Sequence, residues 1–141
     1  MGAGHHTIPT MDVQGFHHLA IQVRDLERVT AFYREVLGFP ELKRHHRADG
    51  SLRSVWVEVP GGGFLALEEV SGEPEAGLFR NERPGLFLLA FRIRPEGRAR
   101  AVEAFARAGV PLENETRWTV YVRDPEGNRV ALSHHPDDPV S

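Results

Sequence analysis

The chain of 141 residues contains no cysteine. That absence removes disulfides, thiolate nucleophiles and every zinc site built on sulfur, and makes a cytoplasmic location the default expectation. There is no run of about 18 apolar residues and no basic stretch leading into an apolar one, so neither a spanning helix nor a signal peptide is expected. The net charge is −3, and the 17 Lys and Arg are scattered rather than gathered in a stripe. Such a surface attracts neither nucleic acid nor an anionic membrane. The chain also lacks G-x-S-x-G, a Walker loop, G-x-G-x-x-G and H-E-x-x-H. "GGG" at 61–63 joins two expected strands instead of opening a helix, so it reads as a turn and not a phosphate cradle. No nucleophile stands convincingly beside a base.

What is present is an ordinary globular composition, 40% hydrophobic and 26% charged. The length suits one domain, or two small modules sharing a core. Residues 1–14 show no periodicity and read as a flexible tail. In "FHHLAIQV", Leu19, Ile21 and Val23 alternate with His18, Ala20 and Gln22, the pattern of a half-buried strand. Asp25 can cap a helix whose apolar residues Leu26, Val29, Phe32, Tyr33, Val36 and Leu37 keep a 3.6-residue period, and Gly38 closes it. Strands are predicted near 39–47, 52–59 and 63–70. The stretch 71–85 has glycine, proline and charge but no pattern, and reads as a linker. The order then repeats: strand "LFLLAFRI", a helix with Pro95 in its first turn, Gly109 and Pro111 as stops, and strands near 112–117, 118–123 and 128–135. Residues 136–141 form a second tail.

The two halves also match in residues. "HLAIQVR" lies over "LLAFRIR" at an offset of 70, "LGFP" over "AGVP" at 71, and "SVWVEVPGGGFLAL" over "TVYVRDPEGNRVAL" at 65 without a gap. We read an internal duplication of a β-α-β-β-β unit, with modules at 15–70 and 86–135. One such unit leaves a sheet face uncovered. Two units, from one chain or exchanged across a dimer, can curve their sheets around a shared cavity. The expected fold is therefore α+β, two tandem βαβββ modules forming a curved mixed sheet around a cup.

With "FHHLAIQVRDLERVTAFYREVLGF" at 16–39 and "VYVRDPEGNRVAL" at 120–132, the chain resembles the vicinal oxygen chelate superfamily. That group includes glyoxalase I, extradiol dioxygenases, methylmalonyl-CoA epimerase and the fosfomycin- and bleomycin-resistance proteins. The family runs many chemistries on one scaffold, so the likeness implies a fold more than a reaction. Its metal-dependent members use inward-facing residues on the first and fourth strands of each module. Carried over by position, these places hold His18, Ala66, Leu88 and Ala131. One ligand of four is left, whereas a catalytic divalent ion generally takes three or so protein ligands. The resemblance therefore implies a vacated metal site and no metal cofactor. A displaced site from His18, Glu68 and His135 is the competing arrangement. The eight histidines come in doublets at 5–6, 17–18, 45–46 and 134–135. On a strand, neighbours point to opposite faces, so each doublet supplies at most one ligand to any site. His5 and His6 read as tail, and His45, His46, His134 and His135 as strand-end surface residues.

If the Val, Leu and Ile of each strand face the helices, the alternate residues face the cup. From the first module these are His18, Ala20 and Gln22, then Trp56 and Glu58, then Phe64, Ala66 and Glu68. From the second they are Leu88, Ala90 and Arg92, then Tyr121 and Arg123, then Ala131 and Ser133. Trp56 and Tyr121 correspond under the duplication and can form two aromatic walls for a flat organic ligand, or serve only as core. Arg92 or Arg123 can hold a carboxylate or phosphate, or pair internally with Glu58 or Glu68. Three functions follow. The first is a metal-free binder of a small organic molecule, acting by sequestration or sensing, and a homodimer by resemblance to the bleomycin-resistance branch. The second is a lyase, isomerase or dioxygenase of the superfamily, using a displaced metal or acid–base chemistry through His18 and Glu68. The third is a structural or interaction domain.

Overall fold

The computed structural model describes residues 11–72 and 84–140. The tail expected at 1–14 and the linker expected at 71–85 fall largely outside the described residues. Two βαβββ modules are present, each built on a four-stranded mixed sheet. The first comprises β1 (His18–Val23), α1 (Leu26–Ala31), β2 (Glu41–His46), β3 (Leu52–Glu58) and β4 (Phe64–Glu69). The second comprises β5 (Leu89–Arg92), α2 (Arg98–Arg107), β6 (Asn114–Glu115), β7 (Thr119–Arg123) and β8 (Arg129–Ser133). The strand orders, β1-β4-β3-β2 and β5-β8-β7-β6, are the same, with the outer pair β1–β4 or β5–β8 parallel and the others antiparallel.

The duplication extends to register. Ala20, Ala66 and Trp56 stand side by side across β1, β4 and β3, and Ala90, Ala131 and Tyr121 do so across β5, β8 and β7. The turn before β4 holds Gly61, Gly62 and Gly63 at φ of 99°, 144° and 78°, which suits glycine alone. At Gly63 a side chain is barred twice over, because a Cβ would also come within 3.1 Å of the His17 carbonyl oxygen.

The helices depart from the expected pattern in informative ways. Asp25 caps α1 by accepting from the Arg28 N–H at 3.2 Å. The period of 3.6 predicts one continuous helix to Leu37, yet Phe32–Val36 form a π-helical turn. This wider turn buries two adjacent rings, Phe32 and Tyr33, which an α-helix would fan 100° apart. The Tyr33 hydroxyl then reaches the other module, donating to Asp124 Oδ2 at 2.8 Å. A tertiary hydrogen bond thus overrides local helical regularity. In the second module Pro95–Gly97 is a 3₁₀ turn leading into α2, and β5 and β6 are shorter than their sequence patterns predict.

Inward residues of both sheets join one core: Ile21, Val23, Val55, Val57, Leu65 and Leu67 from the first, and Val120, Val122, Val130 and Leu132 from the second. Phe39 meets Phe91 across the module boundary, ring centroids 5.0 Å apart at 81°. A polar latch secures the same boundary. In the turn "DPEGN" between β7 and β8, the Glu126 carboxylate accepts from the Arg24 N–H at 2.8 Å and the Asp25 N–H at 2.6 Å. These amides stand at the entry to α1, where negative charge is favoured. Glu126→Gln, which keeps one acceptor and loses the charge, is expected to cost about 1 kcal/mol. Urea unfolding of the two proteins checks this, and equal midpoints would show that the latch carries no energy.

Candidate functional site

The opposite faces of the two sheets turn away from the shared core. On the first sheet an aromatic row crosses all four strands obliquely. His18 stacks on Phe64 with centroids 4.8 Å apart and planes 9° apart. Phe64 stacks on Trp56 at 4.6 Å and 27°, and Trp56 packs against His45 at 4.6 Å and 55°. The register explains the path. His18 and Phe64 are partners on parallel strands, Trp56 is diagonal to Phe64 because Phe64 pairs with Glu58, and His45 is diagonal to Trp56 because it pairs with Ser54.

Several histidines depart from their expected placement. His45, expected at a strand-end surface, is half-buried against Trp56. Its link to the row is set by the cross-strand register, with a shift in the β2–β3 ladder beside it, and period-2 alternation alone does not reveal it. His17 and His18 do not diverge as strand neighbours do, because β1 begins only at His18. Their Nδ1 atoms lie 2.9 Å apart, so one ring donates and the other accepts.

The second sheet carries a different face. The Arg129 guanidinium lies over the Tyr121 ring at 4.2 Å and over Phe87 at 4.9 Å. Glu113 accepts from Arg129 Nε at 2.8 Å and also from Arg123 Nε. Arg123 thus pairs with Glu113 and not with Glu58 or Glu68, the internal partners weighed from sequence. Hydrogen bonding from Arg123, with Arg129 adding to it, holds the Glu113 carboxyl below its usual range. Ser133 accepts from Thr119 Oγ1 at 2.8 Å. Arg92 is exposed at the end of β5 beside Ser133, and Leu88 sits half-buried one residue before β5.

A model of the glyoxalase/bleomycin resistance protein/dioxygenase superfamily matches residues 15–132. The chain belongs to that superfamily. No curated protein matches it. Among solved structures, the chain is similar to a glyoxalase/dioxygenase from Nostoc punctiforme, at 22% identity over 89% of this chain and 94% of that one, with a TM-score of 0.75. A glyoxylase/bleomycin resistance protein/dioxygenase domain from Frankia sp. EAN1pec is 28% identical over 86% and 98%, with a TM-score of 0.69. The fosfomycin resistance protein FosX from Listeria monocytogenes, solved with Mn(II) and sulfate, is 21% identical over 86% and 93%, with a TM-score of 0.67. At such identities the Nostoc and Listeria structures speak for the fold alone.

Among the described residues, the positions carried over from the family's metal ligands do not supply a donor set for a divalent ion. Ala66 is 3% exposed and Ala131 is 0% exposed, each with an alanine on one flank and an aromatic ring on the other. No trio of His, Asp or Glu able to hold a metal is found among the described residues. Nor are His18 and Glu68 brought together. His18 stands beside Phe64 and Glu68 beside Gln22, at opposite ends of the β1–β4 pair, roughly 13 Å apart along the strand. His134, expected at the surface, is 2% exposed. Its Nδ1 donates to the Asp137 carbonyl at 2.8 Å, which leaves Nε2 to accept from Arg98 at 3.2 Å. His135 is exposed and edges against Trp118. No helix among the described residues is long and apolar enough to cross a membrane.

Proposed function

We propose that this superfamily member binds a small, flat organic molecule without a resident divalent ion, sequestering or sensing it. The observation that carries this reading is the row His18–Phe64–Trp56–His45, a π-surface spanning a whole sheet on the side away from the core. Such rings gain most by covering a planar, conjugated ligand. Within one chain the two sheets share their core on one side, so their outer faces point away from it. A homodimer that sets the first module of one chain against the second module of the other completes the cup. Arg92 is the charged group that reaches from the second face, since Arg123 and Arg129 are held by Glu113. Gln22 and Glu58 flank the row as further ligand contacts.

The second reading, an enzyme of the superfamily, has one observation in its favour. The His17–His18 pair shares a hydrogen bond on the exposed rim of the row and can pass a proton there. Glu68 is too far along the sheet to serve as its partner.

Metal titration separates the two readings. Chelator-stripped protein without a histidine tag, titrated by calorimetry with Mn²⁺, Ni²⁺, Zn²⁺ and Fe²⁺, is expected to show only millimolar binding. Light scattering is expected to give the mass of a dimer. Tight uptake of one ion per chain, lost in His18→Ala, would overturn the metal-free reading and put the enzyme first.

A further inference from the structure

The aromatic row ends in a set of polar atoms that nothing among the described residues satisfies. Among the described residues, six buried side-chain polar atoms have no hydrogen-bond partner, and three of them, His45 Nε2, Ser54 Oγ and Trp56 Nε1, belong to neighbouring positions. Ser54 and His45 are directly opposite on β3 and β2, and the His45 ring packs on Trp56. Ser54 is 0% exposed, although it lies on the face turned away from the core, which Val55 and Val57 line from the other side. An isolated orphan of this kind is tolerable. Three together mark a place where a polar group from outside the chain belongs, because each buried polar atom left unmade is costly.

The chemistry of the three atoms narrows that group. An indole N–H only donates, so whatever faces Trp56 Nε1 must accept. The Ser54 hydroxyl can donate or accept, and the role of a histidine ring nitrogen depends on its tautomer. Lys43 stands across from Trp56 and is exposed, with no ion pair among the described residues. Glu68 stands across from Ser54, also without one. The two charges offset each other at this end of the sheet, so the site offers donors without net positive charge.

Resting on the proposal of a flat ligand, we infer that the β2–β3 end of the row is a subsite for a neutral carbonyl-type acceptor. The ligand class is then a planar conjugated ketone or amide. Its ring lies along the Phe64–Trp56 row, and its oxygen, with two lone pairs, accepts from the Trp56 indole N–H and from one of the Ser54 and His45 donors, once the half-buried Trp56 and His45 rings shift to uncover them. A carboxylate is disfavoured there because the donors are uncharged and Lys43 is already offset by Glu68.

Three probes test the assignment: 2-acetylnaphthalene, its hydrocarbon counterpart 2-isopropylnaphthalene, and 2-naphthoate. Binding is followed by fluorescence titration and by the ¹H–¹⁵N resonance of the Trp56 side chain, identified by its loss in Trp56→Phe. The ketone is expected to bind about 10-fold more tightly than the hydrocarbon, as one additional buried hydrogen bond would produce, and more tightly than the naphthoate. The Trp56 indole resonance should move with the ketone and stay in place with the hydrocarbon. In Trp56→Phe the ratio between ketone and hydrocarbon should fall toward 1. Ser54→Ala should lower the same ratio while unfolding at the same or a slightly higher denaturant concentration than wild type, because it removes a buried hydroxyl that has no partner among the described residues. Equal affinities with an unmoved indole resonance would overturn the inference and leave the flat-ligand proposal standing, and are the result if a water or a second chain already satisfies the indole. Tighter binding of the naphthoate would replace the neutral subsite with an anionic one. If none of the three binds, the flat-ligand proposal itself fails, and this subsite with it.

Discussion

Asp124→Ala is expected to cost about 3 kcal/mol and to lower the melting temperature by about 10 °C, a larger change than any surface substitution in the chain. Asp124 is 4% exposed. Its carboxylate accepts from the Tyr33 hydroxyl, the Glu126 and Asn128 amides and the Asn128 side chain, all between 2.8 and 2.9 Å. Truncation leaves these donors without their acceptor, several of them buried, and that penalty exceeds the net value of the bonds themselves. It also frees the π-helical turn from the second module, so the two halves lose their polar register. Circular dichroism against temperature checks the prediction, and a loss below about 1 kcal/mol would show that the turn stands without its carboxylate.

The same cluster sets an alkaline limit. Burial first, then the nearby Asp124 charge and the hydrogen bond to it, raise the Tyr33 pKa well above its usual value. The folded state therefore holds this proton more tightly than the unfolded chain does. Its contribution to stability is whole below the unfolded value of about 10 and is lost as pH climbs from there toward the folded value. Wild-type stability should fall steeply above about pH 10. Tyr33→Phe should start about 1 kcal/mol lower near neutrality and decline less steeply, because it has no phenol to ionise. Parallel slopes for the two proteins would assign the alkaline loss to other groups.

Much of the fold is legible in the sequence because its two signals are local and repeated. Period-2 alternation in "HLAIQV" and "TVYVR" separates the core face from the outer one, and the ungapped match of "SVWVEVPGGGFLAL" to "TVYVRDPEGNRVAL" aligns the modules. The register in which Ala66 and Ala131 occupy equivalent places follows from that match. The departures arise where contacts are diagonal or belong to irregular segments. His45 reaches Trp56 across a shifted ladder, and His17 meets His18 only because the strand has not yet begun. The clamp of Glu113 on Arg123 and Arg129 comes from a residue just before a two-residue strand, β6, which has no periodicity to read. His134 carries no apolar signal, yet it is buried because Arg98 and Asp137 supply both of its hydrogen bonds. None of these contacts follows from a side chain's class or spacing, since each depends on how elements far apart in sequence are placed.

That difference between the faces yields the second large prediction, an asymmetry between two residues that the duplication makes equivalent. Trp56 lies between Phe64 and His45 at 4.6 Å from each, and no cation among the described residues covers its ring. Tyr121, its counterpart, already has the Arg129 guanidinium over its face at 4.2 Å. A ligand ring that joins the row at Trp56 displaces no charged group, but at Tyr121 it must first displace a cation that Glu113 also holds. Trp56→Ala is therefore expected to weaken binding of 2-acetylnaphthalene by about 30- to 100-fold, the loss of a large aromatic contact worth about 2–3 kcal/mol. Tyr121→Ala should weaken it less than about 10-fold. Both variants should fold, since Trp56 and Tyr121 are half-buried on the outer faces while Val55, Val57, Val120 and Val122 hold the core. Calorimetric titration of the two variants side by side decides the matter. Equal losses would mean that the ligand is sandwiched between both modules, with Arg129 displaced. Loss confined to Tyr121→Ala would move the binding surface to the second module and leave the aromatic row a packing feature of the first.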